Sequence, residues 1–201
     1  MSTPEVTPQR PIILASGSEI RKQMLGDAGI VFSVQASELN ESKLKKISEE
    51  EPFQDRVIKL ASAKAKVISK KNKDCYVIGS DQMCVYKDKL LNKPGNFENA
   101  VKHLSLLSGN THYQYSGVCI SLNGESIWSF SDKASLTMHN LSEEEIVSYV
   151  KADEPYQCSG SYKYESLGVN LFSKVEGSSE TIQGLALTPL LKALRELGTI
   201  P

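Results

Sequence analysis

The sequence predicts an α/β protein with a mixed, twisted sheet and helices outside it, on two main observations. Apolar runs of strand length alternate with segments of helical periodicity in the first half of the chain. Two long strand-like segments then follow, joined by the dipeptide Asn123-Gly124. Because no repeat or long linker interrupts the 201 residues, we expect a flexible tail at 1–10 and a single domain at 11–201.

The chain begins with a predicted strand and helix. The apolar run at 12–16 indicates a buried strand, and residues 18–28 have helical spacing. Ser16 with Glu19 fits a Ser-x-x-Glu capping box, and Ser18 is an alternative N-cap. Both alternatives place the helix start directly after the strand.

The next elements are a second strand, a long helix and a central strand. Residues 31–35 favour a strand, and residues 52–71 keep one apolar helical face, with Pro52 at an early helical position. The apolar run at 75–79 predicts a buried strand that continues past three polar residues into 83–86.

The middle of the chain predicts a helix and a hairpin. The helix runs over 96–107 and stops at Gly109, a typical C-terminal residue. Strands at about 112–122 and 125–138 are joined by Asn123-Gly124, the strongest short hairpin signal.

The last third is less regular. Ser142 and Glu145 form a second capping box at the start of a helix. A Gly- and Ser-rich stretch to about 168 precedes a short strand at 171–175, and Thr188-Pro189 opens a final helix that ends at Gly198.

Composition narrows the class of function. A formal net charge of −1 gives no basic field for nucleic acid or an anionic membrane. The sequence contains no secretory h-region and no apolar run near the ~18–20 residues that a membrane span needs, so we expect no membrane segment. The four cysteines, at 75, 84, 119 and 158, lack metal-binding spacing, so we expect a reducing, cytoplasmic compartment.

The junction after the first strand is a candidate anion site. Ser16, Ser18, Arg21 and Lys22 surround the predicted helix start. A helix N-terminus presents free N–H groups and the positive end of the helix dipole, and hydroxyls and cations add to this. Such a site suits phosphate.

A second polar cluster, Gly79-Ser80-Asp81-Gln82, follows the apolar run at 75–79. Asp81 either caps a turn or exits to solvent, or serves as a general base or metal ligand at a strand end. Hard oxygen ligands would suit Mg²⁺ or Mn²⁺.

Three lysines add possible phosphate contacts. Lys64, Lys93 and Lys163 would each be surface residues on their own, but several lysines can converge on one polyphosphate. Gly160-Ser161 offers backbone N–H groups that can approach a ligand closely. His103 is interpreted as a helix-surface residue. The residues alone therefore indicate a phosphate-bearing ligand and a divalent metal.

In this order, the clusters resemble the Maf family of nucleotide pyrophosphatases over residues 11 to 198. The first cluster is similar to the family's Ser-x-Ser-Pro-(x)-Arg-Arg-x-x-Leu-Leu signature, and the segment Cys158–Lys163 is similar to its long C-terminal signature. Single residues also stand in register with family motifs: Glu41, Lys64, Asp81, Lys93, Glu165 and Gly168.

The resemblance implies an elongated two-lobed unit with a central cleft, Maf- and ITPase-like, and a homodimer. It implies that a nucleoside triphosphate is cut between its α and β phosphates. Asp81 would activate water, directly or through a metal, and Glu41 would help to hold Mg²⁺ or Mn²⁺. The residues expected to contact substrate and its phosphates are Ser16, Ser18, Arg21, Lys22, Lys64, Gln82, Lys93, Ser161 and Lys163.

Substrate choice follows from finer likenesses. Ser80-Asp81-Gln82 and the late lysine resemble the branch that prefers 7-methyl-GTP, in contrast to the branch that prefers dTTP and UTP. Glu19 replaces the signature proline and Lys22 replaces an arginine, which favours an alternative function as a nucleotide-binding regulator, for example of cell division. The retained Asp81, Glu41 and Lys163 favour the enzyme.

Overall fold

The computed structural model describes residues 10–37, 39 and 50–200. Residues 1–9 of the predicted tail and Glu41 therefore lie outside the described residues. The strands are β1 (Ile12–Leu14), β2 (Ser33–Val34), β3 (Tyr76–Tyr86), β4 (Lys89–Leu91), β5 (Thr111–Leu122), β6 (Glu125–Met138) and β7 (Phe172–Glu176). The helices are α1 (Glu19–Asp27), α2 (Phe53–Lys71), α3 (Phe97–Leu107), α4 (Glu143–Asp153), a 3-10 helix (Leu167–Leu171), α5 (Ser179–Ile182) and α6 (Leu187–Glu196).

The described strands form one mixed sheet of seven strands, in the order β2-β1-β3-β5-β6-β7, with β4 paired to β3. β1 is parallel to β2 and β3, and the other pairs are antiparallel. The prediction of a mixed α/β sheet with flanking helices is confirmed. Among the described helices, none is both long enough and apolar enough to cross a membrane.

One edge of β3 is interrupted. β1 pairs with β3 up to Ile78, and β4 pairs with it from Cys84 onward. The opposite edge pairs with β5 throughout, so both short strands lie on the same edge. Over residues 79–83 no described strand pairs with this edge, and the carboxyl ends of β1 and β4 both point toward the gap. Ligand sites of α/β sheets lie where chains leave the sheet in this way.

Helix α2 packs very closely on one face of the sheet, because two glycines face it. A Cβ on Gly79 would lie 2.1 Å from the carbonyl oxygen of Ala61, and one on Gly117 would lie 2.5 Å from the backbone of Val57. Alternate residues of β3 therefore pack against α2, including Val77 and Met83 in two apolar clusters. The glycines fix the depth at which α2 lies over β3.

The other residues of β3 face two separate cores. Near its start, Ile78 packs with apolar residues of α1 and α6. At its end, Tyr86 packs with α3, α4 and the last part of β6. The two cores form two lobes along one long sheet, and the gap at 79–83 lies between them.

Several predicted boundaries need correction. The predicted continuation of the central strand through residues 80–82 is confirmed, so Asp81 lies inside β3 and not at a strand end. β1 ends at Leu14, before the predicted 16, and the last helix begins at Leu187 and ends at Glu196. The capping box at Ser142 and the hairpin at Asn123-Gly124 are both confirmed.

The predicted capping box of α1 is wrong. Ser18 is the N-cap, and its side chain makes no capping bond. The hydroxyl oxygen of Ser16 instead accepts hydrogen bonds from the Ser18 N–H, at 3.3 Å, and from Arg21. Glu19 pairs with Lys22 at 2.6 Å, so its carboxylate turns along the helix and not back to the cap.

Candidate active site

A cleft of about 910 Å³ lies between the two lobes, at the gap in the edge of β3. Its walls come from the β1–α1 loop, from α2, from the segment after β4 and from the loop that follows α4. The charged side chains among the described residues that line it are Glu19, Arg21, Lys64, Asp81, Lys93, Lys163 and Glu165. The cleft lining therefore carries four cations and three anions, which favours an anionic ligand. A metal ion bound together with that ligand would add further positive charge.

Lys64 and Asp81 form a buried ion pair in this cleft. Their Nζ and Oδ1 atoms are 2.6 Å apart, and the side chains are 9% and 7% exposed. α2 can bring Lys64 to this point because Gly79, two residues before Asp81, lets the helix approach β3. Oδ2 of Asp81 is buried and has no hydrogen-bond partner in the described part of the chain. A buried carboxylate oxygen of this kind suits a bound water or a hard cation.

The β1–α1 loop forms a second wall. Ser16, Ser18 and the first turn of α1 line the cleft, so the N–H groups that start the helix border it. Arg21 is 9% exposed and ties this loop to the sheet. Its Nε donates to the carbonyl of Gly184 at 2.7 Å, and its Nη1 donates to the carbonyl of Ser80 at 3.2 Å. Arg21 thus braces the loop as well as lining the cleft.

Lys22 lies differently from its expected position. It is absent from the described residues that line the cleft, and its ammonium pairs with Glu19. Glu19 itself lines the cleft with a side chain that is 85% exposed. Glu19 therefore borders the position expected for phosphate. Lys22 pairs with Glu19 and is not directed into the cleft.

The third wall carries two lysines and a thiol. Lys93 is exposed, Lys163 is half-buried, and both line the cleft together with Cys158. Burial raises the pKa of the Cys158 thiol to about 11; the nearby Glu165 adds to this rise, while Lys163 and Lys93 oppose it. Lys93, Lys163 and Glu165 thus line the same part of the cleft as this thiol and influence its charge.

Gln82 and Ser161 have structural partners. The Gln82 side chain lines the cleft, and its Nε2 donates to the carbonyl of Ile182 at 2.6 Å, which holds α5 over the sheet. Ser161 is completely buried and is absent from the described residues lining the cleft. Its hydroxyl lies 2.9 Å from Nδ1 of His103, so the expected phosphate contact of this side chain is corrected. His103 is correspondingly half-buried and not a pure surface residue.

Known proteins match this chain over nearly all of its length. The family model described as "Maf-like protein" matches residues 11–197. The chain belongs to the Maf family. Nucleoside triphosphate pyrophosphatases from Legionella pneumophila (strain Corby) and Nitrobacter hamburgensis are 41% and 37% identical to it. These matches cover 96% and 95% of this chain and 96% of each relative.

Two further matches are a relative with a more specific name and a solved structure. A 7-methyl-GTP pyrophosphatase from Rhizobium etli is 36% identical, over 94% of this chain and 97% of that protein. The solved structure of a HAM1 protein from Coxiella burnetii covers 93% of this chain and 99% of its own, at 14% identity and a TM-score of 0.49.

The fit of this Maf protein to a divalent metal can be tested on Asp81. Mg²⁺ and Mn²⁺ prefer oxygen ligands, and Mg²⁺ is commonly held by one or two carboxylates together with substrate phosphates. Oδ2 of Asp81 is such an oxygen and is not committed to another group within the described residues. No cluster of three His, Cys, Asp or Glu residues occurs there, and Glu41, the expected second ligand, lies outside them. The described residues thus fit a metal ion that takes one carboxylate ligand from Asp81 and most of its other ligands from the substrate phosphates.

Some residues of the Maf cleft were not predicted from the sequence. Gln114, in the middle of β5, lines the cleft, and its Nε2 donates to the hydroxyl of Tyr162 at 2.8 Å. That hydroxyl lies 2.9 Å from Nε2 of His112. Burial lowers the pKa of His112 to about 4, so the ring is neutral near pH 7. The alternation of polar and apolar residues in β5 was the one available clue to a buried polar row.

Proposed function

We propose that this cleft hydrolyses nucleoside triphosphates to the monophosphate and pyrophosphate. The observation that carries the proposal is the buried Lys64–Asp81 pair, with one carboxylate oxygen uncommitted among the described residues, in a cleft bordered by further cations. Relatives of at least 37% identity over most of the chain are named nucleoside triphosphate pyrophosphatases, which supports the same reaction.

The cleft residues divide the work of such a hydrolysis. Oδ2 of Asp81 would orient the attacking water and accept its proton, while Lys64 holds the carboxylate in place. Water oxygen attacks the α phosphorus, the bond from that phosphorus to the bridging oxygen breaks, and pyrophosphate leaves. The start of α1, Lys93 and Lys163 would stabilise the charge on the phosphates. A Mg²⁺ or Mn²⁺ ion, which Asp81 and Glu41 would hold, would neutralise further charge on the phosphates.

We further propose 7-methyl-GTP as the preferred substrate. Tyr164 and Glu165 line the cleft next to Lys163, and the Tyr164 ring is half-buried against Phe172, with ring centroids 6.0 Å apart. A 7-methylated guanine carries a positive charge, so it is attracted both to the face of an aromatic ring and to a carboxylate. The name of the Rhizobium etli relative supports the same choice.

The substrate test below also distinguishes two alternative functions. A preference for dTTP or UTP would keep the reaction but change the base. A nucleotide-binding regulator with little turnover is favoured by Glu19, an acid at the edge of the cleft beside the helix start. The expected homodimer and cytoplasmic location also stay proposals, and light scattering of the purified protein tests the first.

The substrate test is a panel of nucleotides. Purified protein would be mixed with Mg²⁺ or Mn²⁺ and 7-methyl-GTP, GTP, dTTP or UTP, and chromatography would separate monophosphate from diphosphate products. We expect 7-methyl-GMP and pyrophosphate to form fastest. Faster dTTP or UTP cleavage would refute the base preference alone. Binding without turnover of any nucleotide would refute the enzyme in favour of the regulator.

A further inference from the structure

The loop that carries Lys163 lacks regular structure, so its position depends on side-chain contacts. It joins the end of α4 to the 3-10 helix, and Ser161, two residues before Lys163, has a φ of 64°. This left-handed conformation is strained for a residue other than glycine and persists only where neighbouring groups hold it. The contacts that hold Lys163 come largely from one face of α4.

Tyr149 and Asp153 are four residues apart on α4 and form this face. Each is 7% exposed. The Tyr149 hydroxyl donates to Oδ2 of Asp153 at 2.9 Å and accepts a hydrogen bond from the backbone N–H of Lys163 at 3.0 Å. Oδ1 of Asp153 accepts a hydrogen bond from the Ser166 hydroxyl at 2.8 Å. The pair therefore binds the loop at Lys163 itself and again three residues later, at Ser166.

The ammonium of Lys163 is held by the same helix. It donates a hydrogen bond to the backbone carbonyl of Asp153, the last residue of α4. A cation at a helix C-terminus interacts favourably with the last carbonyls and with the negative end of the dipole. An ammonium has three N–H donors, so this contact fixes its direction and leaves capacity for phosphate oxygens.

We infer that Tyr149 and Asp153 are positioning residues for the proposed reaction, since they place Lys163 on the cleft wall where it meets the phosphates. The inference rests on the proposed function, because it gives Lys163 a phosphate to bind. Both residues act through Lys163 and neither lines the cleft among the described residues. Burial raises the pKa of the Tyr149 hydroxyl, which keeps it protonated and able to donate to Asp153 at all ordinary pH.

A double-mutant cycle on pyrophosphate affinity separates this role from a general structural one. Tyr149→Phe keeps the ring in its apolar cluster and removes only the hydroxyl. Isothermal titration with inorganic pyrophosphate and Mg²⁺ would measure Kd for this variant, for Lys163→Met and for the double variant. We expect about tenfold weaker binding from Tyr149→Phe in the wild-type background, the usual scale for one lost buried hydrogen-bond partner. In the Lys163→Met background we expect less than about twofold, because the residue it positions is gone.

Controls keep the result interpretable. Tyr156→Phe is the matched control: Tyr156 lies in the same loop and is half-buried, and its hydroxyl makes no hydrogen bond within the described residues. The Kd of this variant should match wild type. Ser166→Ala removes one donor to Asp153 from an exposed residue and should weaken binding about threefold, with the same dependence on Lys163. Ser166→Ala therefore tests the positioning role even if the Tyr149→Phe variant does not fold.

Three results would overturn the positioning role: equal losses in both backgrounds, unchanged Kd in the folded Tyr149→Phe and Ser166→Ala variants, or wild-type affinity in Lys163→Met. In each of these cases, nucleotide turnover by the wild-type protein would leave the proposed function intact. A wild type that neither turns over nucleotide nor binds pyrophosphate would refute the proposed function, and the positioning role with it.

Discussion

Replacing Gly79 with alanine should disturb both stability and activity, because α2 lies directly over it. The new Cβ would lie 2.1 Å from the carbonyl oxygen of Ala61 and 2.9 Å from the Cβ of Ala65. Relieving the contact with a backbone oxygen requires α2 to move by about 1 Å. Lys64 lies on the same turn of α2, so its 2.6 Å contact with Asp81 would lengthen by a similar distance and break.

The expected magnitude follows from these distances. Overpacking of a well-packed core costs about 1–3 kcal/mol, and a contact with rigid backbone falls at or above the upper end. For a domain of this size about 3 kcal/mol lowers Tm by roughly 6–12 °C. A displacement of about 1 Å at a catalytic group lowers kcat by up to about a hundredfold. Thermal unfolding and nucleotide turnover would measure the two effects.

Gly26→Ala is a matched control for this prediction. Gly26 lies inside α1, and a Cβ there would have nothing within 4 Å. Gly26 lies in the last turn, so alanine there should stabilise the helix by at most about 0.5–1 kcal/mol; Tm should stay unchanged or rise, and turnover should be preserved. Wild-type Tm and turnover in Gly79→Ala would refute the argument that this glycine sets the depth of α2.

Three further predictions address charge in and near the cleft. Lys64→Met should lower the free energy of unfolding by about 3–5 kcal/mol in denaturant titrations, because it removes the cation paired with buried Asp81; a loss below 1 kcal/mol would contradict this. Glu19→Gln should lower KM for the nucleotide about two- to fivefold at low salt, since the exposed acid repels phosphate, and high salt should remove the difference. His112 has a pKa lowered by burial from 6.5 to about 4, so the unfolded chain binds a proton that the folded chain does not. Stability should then fall by up to about 3 kcal/mol as pH drops from about 6.5 to 4, and His112→Gln should flatten that slope; an unchanged slope would exclude His112.

Much of the fold could be predicted from the sequence, because its signals are local. The periodicity of residues 52–71, the Asn123-Gly124 turn and the capping box at Ser142 each depend on residues close together in the chain. The strand through the polar run at 80–82 was also predicted, but Asp81 was placed at a strand end and lies in the middle of β3. β3 keeps the backbone of Asp81 in the sheet through its pairing with Gly117, a residue far along the chain.

The geometry of the site depended on packing between distant segments. The sequence singled out Lys64 and Asp81, but their contact requires the depth of α2, which two glycines on different strands set. Ser161 was expected in the cleft, and its hydroxyl instead meets His103 on α3, 58 residues earlier. Tyr149 and Asp153 gave no signal, since a tyrosine and an aspartate on an amphipathic helix are ordinary surface or core residues.

The most direct test of the account compares wild type with Asp81→Asn on the preferred nucleotide, with monophosphate and pyrophosphate both quantified. Asparagine keeps the shape of the side chain but removes the charge and the ability to take up a proton from water. The account predicts equal amounts of the two products from wild type and a kcat at least about a hundredfold lower in Asp81→Asn, with the fold intact by circular dichroism. Wild-type turnover by a folded Asp81→Asn variant would contradict the central role of Asp81.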